Sequence, residues 1–342
     1  MKIGILGHFG DGVSLLNGQT IKTKSLVNGL ERYTDTEIVR IDTYGWIKKP
    51  ILLLRLIKRA FIDCDVIIAL PAENGLKVFA PLLLHYKKKY DKKIFYDVVG
   101  GWLPEFLDEK KWLSATLMSF DSIWVETYTM KAKLEAQGFK NVTVVPNFKE
   151  LQILKSLEIV SQDDKPLKLC TFSRVMKEKG IGIAVDAVHK ANELLGYTAF
   201  TLDIYGQLQD GQEEWFNCLK RSFSSYVRYC GCVESSKSVE VLKGYFALLF
   251  PTHYEGEGFA GTLIDAYSAG VPVIASDWRY NAELVNEKTG YVYPVTDNDA
   301  LVDILVNVGK NPSILISKKK DCLEEAEKYK AETVISYLIS IM

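Results

Sequence analysis

The sequence predicts an α/β protein with two Rossmann-like domains, each built on a doubly wound parallel sheet. Short apolar runs alternate with helical patterns along most of the chain, which is typical of parallel sheets covered by helices. A length of 342 residues is enough for about two such domains. A polar stretch that ends in Ser-Gln-Asp-Asp-Lys-Pro separates the two sets of strands. We therefore predict a first domain over 1–150, a linker over 151–166, a second domain over 167–330 and a last helix over 331–342.

The first sheet is predicted from six short apolar runs, most of them rich in β-branched residues. These runs are Lys2–Leu6, Glu37–Ile41, Val66–Leu70, Lys93–Tyr96, Ser122–Val125 and Val142–Val145. A helix is predicted over Thr20–Glu31, where Ile21, Leu26 and Leu30 lie on one face. The first domain thus begins with a strand, a glycine-containing loop and a helix.

The second sheet is predicted from six further runs of the same kind. These are Leu167–Phe172, Thr201–Tyr205, Val227–Cys230, Ala247–Phe250, Val273–Ala275 and Tyr291–Tyr293. Between the fourth and fifth runs, apolar residues repeat at helical spacing from about residue 260 to 269, and Gly270 with Pro272 ends that helix. Residues 312–342 have an amphipathic helical pattern.

Composition excludes several classes of protein. A hydrophobic fraction of 48% and a charged fraction of 25% are ordinary for a soluble globular chain. The six cysteines are scattered without a metal-binding spacing, which indicates reduced thiols in the cytoplasm. The N-terminus lacks the pattern of a signal peptide, and no apolar run is long enough to span a bilayer. We expect a cytoplasmic protein that is soluble or peripheral to the membrane.

Charge is unevenly distributed between the halves. Residues 1–150 carry 22 Lys and Arg against 17 Asp and Glu, so the basic excess lies there. Residues 46–61 mix apolar and basic side chains between two aromatic residues, as interfacial helices do, and residues 87–93 add a second basic cluster. The alternative is an ordinary solvated helix face. We favour the hypothesis that this domain contacts an anionic membrane surface.

The stretch from Ala247 to Val285 has the features of an anion site. Its acidic, glycine-rich loop precedes a helix, and unpaired amides at a helix start stabilise phosphate. Glu257 lies in the loop, and Asp265 follows two turns into the helix. Carboxylates next to a phosphate site are good acceptors for sugar or ribose hydroxyls, so the stretch suits a nucleotide-sugar. The alternative is a plain strand–loop–helix with solvated acids.

This stretch resembles the signature of the group 1 (family 4) retaining glycosyltransferases. The resemblance rests on Glu257-Gly258-Phe259, Asp265-Ala266, Gly270 and Pro272-Val273-Ile274. It implies a GT-B fold, in which two domains face a cleft and the last helix crosses back to the first domain. It also implies that Glu257 contacts the donor sugar and that Asp265, where the family has Glu, holds the ribose. The donor-binding amides would belong to Gly258, Phe259, Ala260 and Gly261.

A second motif follows the first strand of the second domain. Ser173-Arg174 and Lys179-Gly180 resemble the family's G-R-L, three residues, K-G pattern, with Ser173 in place of glycine. The resemblance implies that Arg174 and Lys179 hold the donor diphosphate. Fixed cations there would lower the barrier to departure of a nucleoside diphosphate. The alternative is a pair of surface cations on a strand–helix loop.

The first domain offers weaker candidates. By the same resemblance, Gly18 and Gln19 belong to a loop that closes on the donor diphosphate, although an ordinary polar loop is an equal alternative. The space near the fourth strand, where many family members carry a histidine, is assigned to the acceptor side. The residues there are Asp97, Gly100, Gly101 and Trp102. Trp102 suits stacking on an acceptor sugar or simple packing.

The resemblance implies a retaining hexosyltransferase. The donor is a UDP- or GDP-sugar, and the acceptor is a sugar or a lipid-linked sugar in cell-surface polysaccharide biosynthesis. We predict no metal, no further cofactor and no nucleic-acid partner. Two alternatives remain at this point: a nucleotide-sugar 2-epimerase on the same fold, and a non-catalytic glycosyltransferase-like partner subunit.

Overall fold

The structure, a computed structural model, describes residues 1–10, 18–160 and 164–342. Residues 11–17 of the first glycine-containing loop and residues 161–163 of the predicted linker lie outside this description. The chain divides into two compact units. The first unit comprises Met1–Glu150 together with Ala331–Met342, and the second unit comprises Leu151–Lys330.

The first unit contains, in its described residues, a parallel sheet with helices along its connections. Its strands are β1 (Lys2–Gly7), β2 (Glu37–Asp42), β3 (Val66–Ala69), β4 (Lys93–Asp97), β5 (Ser122–Val125) and β6 (Val142–Val144). Its first helices are α1 (Gly18–Tyr33), α2 (Pro50–Asp63), α3 (Glu73–Tyr90), α4 (Leu103–Glu109), α5 (Lys111–Leu117) and α6 (Tyr128–Ala136). The strand order is β2-β1-β3-β4-β5-β6, with every neighbouring pair parallel.

The second unit repeats this design. Its strands are β7 (Leu167–Phe172), β8 (Phe200–Tyr205), β9 (Val227–Gly231), β10 (Ala247–Phe250), β11 (Val273–Asp277) and β12 (Gly290–Pro294). Its helices are α7 (Ile181–Leu195), α8 (Glu213–Arg221), α9 (Ser238–Leu242), α10 (Gly261–Ser268), α11 (Asn281–Leu284), α12 (Asn298–Lys310), α13 (Ser313–Ile316) and α14 (Lys319–Ala326). The parallel strands follow the order β12-β11-β10-β7-β8-β9. Both sheets confirm the predicted α/β class, and all twelve predicted strands overlap observed ones.

The last helix, α15 (Ala331–Ser340), packs in the first unit. Val334, Ile335 and Leu338 are buried with residues of β1 and α1 in one apolar core. The fit is close at Gly29 of α1, where an added Cβ would lie 2.9 Å from a side-chain carbon of Ile335. Helix α15 therefore completes the apolar core that β1 and α1 form.

Two predicted helices have different boundaries in the structure. The helix expected over 46–61 is instead a 3-10 turn, Trp46–Lys48, followed by α2. Pro50 is the first residue of α2, a position that suits proline because it has no N–H to leave unpaired. The helical region over 312–342 is divided into α13, α14 and α15. In the described part of the chain, no helix combines the length and apolar character needed to cross a bilayer.

Candidate functional site

In the second unit, the loop after β7 and the loop after β10 lie against each other because these strands are neighbours in the sheet. Gly180 allows this contact. Its φ is +70°, and an added Cβ would lie 2.0 Å from the carbonyl oxygen of Pro251. The amide of His253 donates a hydrogen bond of 2.8 Å to the carbonyl of Glu178. Lys179, between these two contacts, is thereby fixed next to the acidic loop.

A buried ion pair forms where the two loops meet. Nζ of Lys179 lies 2.5 Å from Oε2 of Glu257, and the same oxygen accepts a 2.8 Å hydrogen bond from the hydroxyl of Thr252. Lys179 is 8% exposed and Glu257 is 6% exposed. Two residues that the sequence predicted to hold different parts of a donor are thus in direct contact. The arrangement orients both charged groups and leaves little freedom to either.

Tyr254 lies against both predicted cations. Its ring centre is 5.0 Å from Nζ of Lys179 and 5.5 Å from the guanidinium carbon of Arg174, within the range of cation–π attraction. Arg174 is exposed and also donates a 2.9 Å hydrogen bond to Gln209. The backbone of Gly206 packs closely against the backbone of Ser173. An added Cβ at Gly206 would lie 1.7 Å from the carbonyl oxygen of Ser173. Arg174 therefore has solvent access that Lys179 lacks.

The helix that follows the acidic loop begins as predicted, near Gly261. Ala260 is its N-cap, and Gly258 and Phe259 are buried just before it. The ring of Phe259 packs edge-on against Tyr329, with ring centres 4.8 Å apart. These residues form a tightly packed entry to α10, and their contact with a donor stays a prediction.

Asp265 lies inside the second unit rather than at its surface. It is 2% exposed, and Oδ1 accepts a 2.9 Å hydrogen bond from the hydroxyl of Ser238. Ser238 is the first residue of α9, so the shorter aspartate side chain joins α10 to α9. Its assignment to the donor ribose stays a prediction.

In the first unit, Lys22 of α1 forms a second buried charge cluster. Its Nζ lies 2.8 Å from Oδ1 of Asp97, 2.9 Å from Oε1 of Glu126 and 2.6 Å from the carbonyl oxygen of Val98. Asp97 ends β4 and Glu126 directly follows β5, at the carboxyl edge where parallel sheets bind ligands. Asp97, which the sequence analysis assigned to the acceptor side, thus forms an ion pair with Lys22.

Burial and charge act against each other in this cluster. Burial alone would lower the pKa of Lys22, but attraction to Asp97 and Glu126 outweighs it, so the pKa of Lys22 is raised. Burial raises the pKa of Asp97, and Lys22 offsets only part of that effect. One cation is thus shared by two buried carboxylates here.

The other candidates of the first unit have structural contacts. Gly18 is the first residue of α1, and the Gln19 side-chain amide donates a 2.8 Å hydrogen bond to the carbonyl of Leu70. Trp102 donates its indole N–H to the carbonyl of Val99 at 2.7 Å and packs edge-on against Phe106. Gly100, with φ of +82°, and Gly101 precede Trp102 in the same loop. The contacts of Trp102 are those of packing, and its role towards an acceptor stays a prediction.

Several residues of these clusters were not found by sequence reasoning. Lys22 had a detectable signal, because it lies four residues before Leu26 on the buried face of α1. No sequence signal indicated Thr252, Tyr254 or Ser238, because only the fold brings each of them close to its hydrogen-bond or ring partner. Among the residues that the structure describes, no group of three or more His, Cys, Asp or Glu could hold a metal ion. Metal independence stays a prediction.

Comparison with known proteins identifies relatives of this chain. Residues 166–311 match the model of the family described as Glycosyl transferases group 1. Over 224 residues the chain is 28% identical to the UDP-N-acetylglucosamine–peptide N-acetylglucosaminyltransferase GtfA subunit of Streptococcus gordonii, covering 64% of this chain and 42% of that protein. Over 178 residues it is 26% identical to the amylovoran biosynthesis glycosyltransferase AmsK of Erwinia amylovora, covering 46% of this chain and 40% of that protein. The chain thus spans less than half the length of these two relatives.

A solved structure has the same fold along the full length of this chain. The Anabaena protein Alr3699/HepE, in complex with UDP-glucose, superimposes with a TM-score of 0.74 at 15% identity, covering 100% of each chain. This likeness confirms the fold that the sequence resemblance implied. The chain thus has the GT-B fold, and its residues 166–311 match the model of the glycosyl transferases group 1 family.

Proposed function

We propose that this protein is a retaining glycosyltransferase that moves a hexosyl group from a nucleotide-diphosphate sugar. The observation that carries the proposal is the buried pair of Lys179 and Glu257, with Arg174 beside it. The pair lies after two adjacent parallel strands, at the sheet edge where α/β proteins bind ligands. Its residues match the positions that the family resemblance assigns to the donor diphosphate and the donor sugar.

Lys179 and Arg174 would act on the leaving group. When the bond between the sugar anomeric carbon and the phosphate oxygen breaks, negative charge develops on the β-phosphate, and fixed cations stabilise that charge. Glu257 holds Lys179 in place before the donor arrives, and its carboxylate is also an acceptor for sugar hydroxyls. Because Lys179 is almost completely shielded from solvent, water would weaken its attraction to a phosphate only slightly.

Retention of configuration follows without a separate base. The departing phosphate oxygen accepts the proton of the acceptor hydroxyl on the same face of the sugar. The acceptor oxygen then forms the new bond to the anomeric carbon as the old bond breaks, so charge and atoms balance. Only stabilisation of the leaving phosphate is required from the protein, and Arg174 and Lys179 are the groups that would supply it.

The acceptor is proposed to be a sugar, free or carried on a lipid, in cell-surface polysaccharide biosynthesis. Support comes from the amylovoran enzyme among the relatives and from the basic excess of residues 1–150. This assignment places the protein in the cytoplasm, peripheral to the inner face of the cell membrane. Asp97, Gly100, Gly101 and Trp102 remain its acceptor-side candidates.

A donor panel tests the proposal. The purified protein is incubated with UDP- and GDP-sugars, and slow release of free hexose is measured, because bound donor is hydrolysed when no acceptor is present. Hydrolysis of one donor with the anomeric configuration retained is the expected result. Formation of a 2-epimer from donor alone would show an epimerase instead. Absence of hydrolysis, with no calorimetric binding of UDP or GDP, would show a non-catalytic subunit.

A further inference from the structure

Helix α2 leaves a broad apolar face uncovered. Its buried residues, Leu53, Ile57, Ala60 and Phe61, lie on one side of the helix. Large aliphatic side chains also point away from the unit, and each is at least half exposed. They are Ile47 (76%), which precedes the helix, Ile51 (66%), Leu52 (50%) and Ile62 (54%). Aliphatic residues at this exposure, repeated along one helix, form a patch rather than scattered single exposures.

Basic residues lie among these aliphatic ones. All of them are exposed: Lys48, Lys49, Arg55, Lys58 and Arg59. Asp63 is the one acidic residue between positions 46 and 63, and it pairs with Arg59 at 3.1 Å. The outward face of residues 46–63 is therefore both apolar and strongly positive. We call this face the α2 surface.

The end of α3 extends the α2 surface. Phe61 of α2 packs against Tyr86 and Tyr90, with ring centres 5.5 Å and 6.5 Å apart. Lys88 and Lys89 are exposed on this same end of α3. The rest of the basic cluster at 87–93 is partly used within the fold, since Lys87 pairs with Asp121 and Lys93 donates to the carbonyl of Met342. The predicted second cluster thus contributes fewer cations to the surface than its sequence indicates.

We propose that the α2 surface binds the anionic phospholipid surface of a membrane. The aliphatic side chains would enter the boundary between headgroups and acyl chains, and the cations would contact lipid phosphates. A protein partner fits less well, because the centres of protein interfaces are enriched in aromatic residues and depleted of lysine. The α2 surface instead interleaves lysine with aliphatic residues on one helix. The inference rests on the proposed function only for the identity of a lipid-linked acceptor.

The apolar contribution is tested with the full chain and two kinds of vesicle, phosphatidylcholine alone and phosphatidylcholine mixed with phosphatidylglycerol. The wild-type protein should sediment with the mixed vesicles. The double variant Ile47→Glu/Ile51→Glu should lose at least about tenfold in partitioning, since two aliphatic side chains that would enter the membrane are replaced by charged ones. Leu194→Glu on α7 is the matched control, because Leu194 is 68% exposed, as Ile51 is, but lies in the second unit. Equal loss in both variants would overturn the proposal.

The charge contribution is tested with Arg55→Gln/Lys58→Gln against Lys220→Gln/Arg221→Gln of α8, which are also exposed. Removing charges from the α2 surface should weaken binding roughly fivefold per residue, and added salt should reduce binding further. Equal binding to neutral vesicles, or no binding to either, would contradict the proposal. Donor hydrolysis in solution should be the same for all these variants. That readout separates failure of membrane binding from failure of the proposed function.

Amide hydrogen exchange locates the contact. Mixed vesicles should slow exchange in peptides that cover residues 46–63 more than in peptides elsewhere in the first unit. Protection that falls only outside residues 46–63 and 87–93 would assign the bound face to another part of the protein. It would also overturn the proposal for α2.

Discussion

Two buried lysines follow the first strand of their respective units, and their surroundings differ. Lys22 in the first unit has three acceptors within 3 Å, two of them carboxylates. Lys179 in the second unit has one, the carboxylate of Glu257, among the residues that the structure describes. An ammonium group carries three N–H donors, so Lys22 is fully used within the fold. Lys179 retains donors that a bound anion can accept from.

The difference separates a structural charge from one suited to function. A cation that faces two carboxylates holds two strands and a helix together, and it has no further anion to attract. A cation with one carboxylate and the ring of Tyr254 is positioned without being neutralised by a second acid. The comparison therefore predicts a loss of stability at Lys22 and a loss of turnover at Lys179.

The largest effect is expected for Lys22→Met. The change leaves Asp97 and Glu126 buried without their cation, which should lower the free energy of unfolding by about 3–5 kcal/mol. Chemical denaturation measures this loss. Lys24→Met is the control on the same helix, and it should change stability by less than about 0.5 kcal/mol because Lys24 is exposed. A loss below 1 kcal/mol for Lys22→Met, on the order of a surface pair, would show that the cluster is not structural.

Lys179→Ala should reduce turnover by roughly two to three decades, because a cation opposite the developing phosphate charge is lost. Since the same change leaves Glu257 buried and unpaired, stability is measured alongside. In the double variant Lys179→Ala/Glu257→Gln, the unpaired charge is absent, so part of the stability should return while turnover stays low. Lys177→Ala, an exposed residue of the same loop, should keep normal turnover. Recovery of turnover in the double variant would remove Lys179 from the reaction.

A third buried lysine sharpens the comparison, with a smaller expected effect. Lys319 has no carboxylate partner among the described residues; its Nζ donates to the carbonyl of Tyr245 at 2.9 Å. Burial lowers the pKa of Lys319 to about 8 from the ordinary 10.5. Between these values the unfolded chain binds more protons, so stability should rise with pH by at most roughly 3 kcal/mol in total. Lys319→Met should remove that rise.

Unfolding is measured at several pH values for the wild type and Lys319→Met, and the difference between the two is followed. That subtraction removes the contribution of the buried tyrosines, whose pKa values are raised by burial in the folded chain and which ionise near pH 10 only when unfolded. A difference that does not change with pH would show that Lys319 is hydrated in the folded state.

Much of the fold could be predicted because central strands such as β3, β5 and β10 are short apolar runs that are buried on both faces of the sheet. The site was predictable only in part. Lys179 and Glu257 were assigned to the donor by resemblance, but their contact depends on β7 lying beside β10, which no local pattern reveals. Ser238 and Asp265 are joined for the same reason, by the packing of α9 against α10. Side chains that meet across strands depend on topology, and topology is not a local property of the sequence.

The placement of α15 has a consequence for synthesis of the protein. The core of the first unit contains Ile335 and Leu338, which the ribosome adds only after residues 151–330 have been made. At ordinary rates of translation this delay is roughly ten seconds or more. During that time the side of α1 around Gly29 lacks its apolar neighbour. The apolar core around β1 and α1 is therefore completed only after the second unit has been synthesised.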